Sequence, residues 1–113
     1  MPDDKSQIQY DDFAKLDIRV GTVVAAEPIE GANKLIKCTI DLGDFGIRTI
    51  VSGIKEWKTP EELVGKQLPY IVNLAPRMLR GVESQGMLLA ASDDQGVVLL
   101  LPERSVPPGT KLK

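Results

Sequence analysis

Short stretches of apolar and β-branched residues recur along the chain, and most are bounded by glycine or proline. Ile18-Arg19-Val20-Gly21-Thr22-Val23-Val24 puts Ile18, Val20 and Thr22 on one face of a first strand, with Pro28 as its terminator. Gly21 inside the run marks a bulge or a sharp bend. Glu30–Asn33 reads as a loop, Leu35–Ile40 as a second strand and Ile47–Val51 as a third, with the glycine-bearing hairpin connection Leu42–Gly46 between them. Thr59-Pro60-Glu61-Glu62 is a capping box with proline at the first helical position, and Gly65 stops that helix after a turn or two. Leu68–Val72 predicts a fourth strand, Met87–Ala91 a fifth and Val97–Leu101 a sixth. Asp11–Leu16 predicts one helical turn, residues 1–9 a loose polar leader and residues 10–113 a single domain. Asn73–Gln85 has no clean period and reads as a long loop of the kind that carries function. Three strands, a short helix and then further strands is the order of an all-β, five-stranded OB barrel.

Composition narrows the chemistry. Aromatics are only 4% of the chain, so the core must rest on Val, Ile and Leu. The chain contains no histidine, which removes Ser-His-Asp and Cys-His catalysis and most zinc sites. A lone cysteine, Cys38, forms no internal disulfide and supplies no thiolate cluster, so a reducing cytoplasmic setting is expected. No catalytic residue, metal or cofactor is expected, and no apolar run is long enough to span a membrane. The net charge is −2, yet the acidic residues 1–12 leave the body from Phe13 onward at +1. A nearly neutral body presents a basic face only if its cations cluster.

Four stretches are candidates for function. In Asn73–Met87, Arg77 and Arg80 offer planar forks for phosphate, Asn73 and Ser84 neutral hydrogen bonds, and Met78, Leu79 and Met87 soft apolar surface for an unstacked base. The same composition also suits an ordinary solvated loop. Lys34 lies in the other ligand-facing loop of such a barrel, and Lys37 and Arg48 extend a basic track from it, or are scattered solubilising charges. Trp57, between Lys55 and Lys58, is either a stacking platform or a packing plug. The unbroken run Val97, Val98, Leu99, Leu100 and Leu101 buries both faces of a strand, so something must cover its outer side. The cover is either the tail with Leu112 or a second copy of the chain, and a homodimer is the expectation.

Asp12–Gly21, Val51–Ile54, Asn73–Arg77 and Gly81–Leu89 resemble the tRNA-binding domain of methionyl-tRNA synthetases, found at their C-terminus, as a β subunit, or free-standing. The resemblance runs from Tyr10 to Lys113. It implies an OB barrel whose C-terminal β extension forms a homodimer. It also implies non-catalytic, structure-specific and largely sequence-independent binding of tRNA at the outside corner of the L, beside the catalytic part of a methionyl-tRNA synthetase. On that basis Asn73, Arg80, Ser84 and Met87 carry over as RNA-contacting residues, together with Lys34 and Trp57. Met78-Leu79 stands where relatives often carry more basic residues, which lowers the expected electrostatic contribution. The same barrel occurs in a dimeric, peptide-binding secretion chaperone, which is the alternative reading.

Overall fold

The computed structural model describes residues 5–113. Of the leader expected over residues 1–9, residues 1–4 lie outside the described residues, and residues 5–9 are exposed without regular structure. Helix α1 (Tyr10–Ala14) opens the fold, with the Gln9 backbone N–H donating to the Asp12 carboxylate at 3.0 Å.

Strand β1 (Ile18–Ile29) is long because it serves two neighbours. Its first half pairs antiparallel with β4 (Gln67–Ile71), from Ile18↔Ile71 to Thr22↔Gln67. Its second half pairs with β2 (Ala32–Asp41), from Thr22↔Asp41 to Ile29↔Ala32. At the crossover, a Cβ on Gly21 would lie 2.4 Å from Ile40 Cγ2, so only glycine lets β1 pass this close to β2. A register shift between Val23 and Ala25 then bends the strand. The strand does not end at Pro28, which stays in register with Ile36. The pairing with β4 ends at Thr22, Val23 still exchanges backbone bonds with Lys66 and Gly65, and beyond it that side of β1 is an edge, which tolerates a residue without an N–H. The loop expected over 30–33 is therefore the turn Glu30-Gly31, with Gly31 at φ 80°.

Strand β3 (Ile47–Ser52) pairs with β2, and helix α2 (Pro60–Leu63) follows before β4. The capping box is present: Glu62 N donates to Thr59 Oγ1 at 3.3 Å, and Thr59 N donates to Glu62 Oε1. This turn sends Leu63 into the main core among Val23, Ile36, Ile40, Leu42, Ile50, Leu68 and Tyr70, each almost fully buried. Each such aliphatic side chain contributes about 1.5–3 kcal/mol on burial.

The expected long loop contains a hairpin, β5 (Arg77–Leu79) with β6 (Val82–Ser84). Strand β7 (Met87–Leu88) is shorter than the fifth strand expected and pairs with β4 at Ile71↔Met87 and Tyr70↔Leu88. The antiparallel path is thus β3-β2-β1-β4-β7, with helix α2 between its third and fourth strands in chain order, as expected. At the β3 end of the path, the segment between β6 and β7 comes alongside, where Gln85 N donates to Thr49 O at 2.8 Å.

The C-terminal part adds the hairpin β8 (Ala91–Asp93)–β9 (Gly96–Val98) and the short β10 (Lys111–Leu112), which pairs with Ile18 and Arg19. The sixth strand therefore stops at Val98, and Leu99–Leu101 continue without strand pairing. Val97 and Leu99 pack on the main core, whereas Val98, Leu100 and Leu101 are exposed. The tail does not cover them: Leu112 is itself partly exposed. Leu100, Leu101 and Leu112 line an apolar groove of about 250 Å³ together with buried Val20, Leu68 and Pro69.

Candidate nucleic-acid interface

The β5–β6 hairpin is closed by a two-residue turn, Arg80-Gly81, with φ 51° and 81°. Positive φ at both central residues is the mirror-image turn whose twist suits paired strands. Glycine enters this region freely, and arginine does so at a cost of about 1–2 kcal/mol. The cost is met on the flank of the hairpin, where Leu79 and Val82 pack on a small second core of Ile29, Ala32 and Val51. That packing sets the hairpin tip beside the β1–β2 turn, so exposed Arg80 lines one depression with Gly31, Asn33 and Lys34. Lys34 Nζ lies 3.8 Å from Glu56 Oε1, but the lysine side chain is 77% exposed. An ion pair this wet contributes little and leaves the ammonium available to an incoming anion.

A groove of about 380 Å³ lies alongside, with Arg77, Leu79 and Met87 among its lining and Gly53, Ile54 and Ala91 further along it. Leu35 lines both the groove and the depression and joins them into one face. Four of the residues expected from the sequence, Lys34, Arg77, Arg80 and Met87, therefore share a continuous surface of cations around apolar patches.

Three others do not join it. Ser84 is buried: its hydroxyl accepts from Val51 N at 2.9 Å and donates to Gly86 O at 3.2 Å. An RNA contact expected of this hydroxyl is replaced by an internal one. The Asn73 amide is likewise engaged, with Oδ1 accepting from Asp17 N at 2.9 Å and Nδ2 donating to Lys15 O at 2.7 Å. It latches the α1–β1 connection to the end of β4. Trp57 is half-exposed and lies against the backbone of Gly96, where a Cβ would come within 2.2 Å of Trp57 Cδ1. The ring supports the β8–β9 hairpin and does not line the groove. Lys37 and Arg48 line neither the groove nor the depression, so the expected basic track does not extend this face. Lys37 pairs with Glu27 at 3.4 Å, and the Arg48 guanidinium donates to the Val72 carbonyl.

Leu35 and Gln85 have no place in the sequence-level site, because their roles depend on partners far along the chain. Among the described residues, no group of three or more His, Cys, Asp or Glu side chains could hold a metal ion. No described helix is long and apolar enough to cross a membrane.

An all-β domain with Arg77 on an apolar groove and Lys34 and Arg80 on the adjoining depression is built for binding. The family model described as "Putative tRNA binding domain" matches residues 18–111, and the chain belongs to this family of tRNA-binding domains. It is 52% identical over 107 residues to methionine–tRNA ligase of Deinococcus radiodurans and 53% identical over 108 residues to that of Archaeoglobus fulgidus. These matches cover 94% and 96% of this chain and 16% of each ligase, so the chain spans about a sixth of their length. Among solved structures, a methionyl-tRNA synthetase-related protein from Pyrococcus horikoshii superimposes with a TM-score of 0.90 at 42% identity, covering 96% of this chain and all of that one. The CsaA chaperone of Bacillus anthracis superimposes with a TM-score of 0.87 at 33% identity and the same coverage. The chain thus corresponds to the tRNA-binding domain region of these ligases.

Proposed function

We propose that the chain grips folded tRNA through the face formed by Lys34, Arg77, Arg80 and Met87, reading shape more than base sequence. We further propose that it serves methionyl-tRNA ligase as a C-terminal domain or β subunit. The observation that carries the reading is the placement of Arg80 at a rigid hairpin tip beside Lys34. Arginine forks and the lysine ammonium hold phosphates in register, which positions the RNA without specifying a sequence. Met87, Leu35 and Leu79 offer apolar surface to exposed base faces. Attached to a ligase, such a module raises the local tRNA concentration and lowers the apparent KM while leaving the chemical step unchanged. Arg80→Ala should weaken tRNA binding and reduce the slope of log affinity against log salt by about 1. Unchanged affinity and slope would remove Arg80 from the interface.

The exposed Val98, Leu100 and Leu101 support a homodimer as part of this reading. Sedimentation at micromolar concentration should give twice the chain mass, and a monomer there would contradict it.

The likeness to a CsaA chaperone supports a second reading, in which the apolar groove holds an extended peptide. Competition separates the two. A chaperone retains unstructured peptide in the presence of tRNA, whereas an RNA module loses it.

A further inference from the structure

We propose that Ser84 and Gln85 are positioning residues for the RNA-facing hairpin, acting through the open edge of β3 and not through contact with RNA. This inference rests on the tRNA reading above.

Residues 49 and 51 of β3 point their backbone groups away from β2, because alternate residues of a paired strand bond to opposite sides. An edge of this kind requires acceptors. No ladder of backbone pairs supplies them. Side chains do: Val51 N donates to Ser84 Oγ at 2.9 Å, and Thr49 N donates to Gln85 Oε1 at 3.0 Å. One backbone bond completes the seam, from Gln85 N to Thr49 O at 2.8 Å. Two consecutive residues thus satisfy three backbone groups of β3, and they stand where β6 ends. The seam is the root of the hairpin that carries Arg77 and Arg80.

Gly86 allows the chain to lie this close. A Cβ there would come within 2.8 Å of Ile71 O and 2.9 Å of Ile50 Cδ1. The Ser84 hydroxyl then donates across this glycine to the Gly86 carbonyl, fixing its own orientation. The hairpin is consequently held at its root by two side-chain oxygens and on its flank by Leu79 and Val82. Without the Ser84 oxygen, the Val51 amide faces a buried site without an acceptor, and the root loosens.

The test uses the whole chain, with tRNA affinity measured across a salt series and amide hydrogen exchange measured on the free protein. Ser84→Ala should lower tRNA affinity roughly tenfold, on the scale of one unsatisfied buried amide. It should lower the salt slope in the direction of Arg80→Ala, because the loosened hairpin no longer holds Arg80 on a phosphate, and speed exchange at Val51 and along the hairpin. Ser84→Thr, which keeps the hydroxyl, should restore affinity and protection. In the Ser84→Ala background the further effect of Arg80→Ala should shrink, since a loosened hairpin has already misplaced that side chain. Gln85→Ala reports the same role at Thr49 if Ser84→Ala fails to fold. Weaker binding with an unchanged salt slope and unchanged exchange would mean that the neutral Ser84 hydroxyl meets the RNA itself and would overturn the proposal. Faster exchange with unchanged affinity would overturn it while leaving the tRNA reading intact. Wild-type protein that does not retain tRNA would reject the tRNA reading, and this role with it.

Discussion

The Arg19 guanidinium lies over the Phe45 ring, 3.8 Å from its centroid. From that position Arg19 also pairs with Asp17 at 2.8 Å and donates to the Gly109 carbonyl at 2.9 Å. One side chain therefore ties β1, the turn after β2 and the C-terminal tail together. Backbone bonds from Gly109 N to Val20 O and from Val20 N to Thr110 O run alongside. Arg19→Leu keeps apolar contact and removes the donors. It should destabilise the fold by about 2 kcal/mol, in the range for hydrogen bonds to charged groups. The urea midpoint checks this, and proteolysis of the tail should accelerate in parallel. A midpoint unchanged from wild type would show that the tail is held by its backbone bonds alone.

Gly96 adopts φ 121°, a region that side chains avoid, and a Cβ there would collide with the Trp57 ring. Gly96→Ala should cost about 1–3 kcal/mol and displace the indole. Trp57 is the only tryptophan, so its fluorescence reports this hairpin directly. A red shift in emission with a lower urea midpoint is expected. An unshifted spectrum would contradict the packing described for the ring.

Burial pushes the Cys38 thiol from its ordinary value near 9 up to about 11, and pushes the Tyr70 phenol well above its ordinary range. Between pH 9 and 11 the unfolded chain releases the thiol proton while the folded chain keeps it. The unfolded state then binds fewer protons, so stability falls as pH rises. The contribution is fully present below pH 9 and is lost at about 1.4 kcal/mol per pH unit above it. Cys38→Ala should flatten the decline in urea midpoint between pH 9 and 11. A wild-type decline of the same steepness in that variant would assign the loss to other groups.

Elements with local signals were legible in the sequence, and those set by distant partners were not. Thr59, Pro60 and Glu62 define α2 within four residues, and the structure shows their bonds in place. Gly21 pointed to a bend, and its reason is Ile40 on the next strand. The β5–β6 hairpin escaped notice because Arg80-Gly81 lacks the Asn-Gly or Asp-Gly signature of its turn. Arg77, Arg80, Met87 and Lys34 do gather on one face, as long side chains in exposed loops readily do. Ser84 and Asn73 have the right chemistry for RNA, but partners 33 and more than 50 residues away take up their hydrogen bonds, in the interior for Ser84 and at the surface for Asn73. Sequence position gives no warning of such a long-range bond. The run Val97–Leu101 is a strand only to Val98, with Val97 and Leu99 packed on the core and Val98, Leu100 and Leu101 exposed in the single chain.

The central claim is that a nearly neutral β domain holds tRNA by contour and a few fixed cations. Equilibrium binding of the whole chain to folded tRNA and to a linear RNA of equal length, across the same salt series, tests this most directly. The account predicts markedly tighter binding to the folded molecule, with similar salt slopes for both. Equal affinity for the two would contradict it.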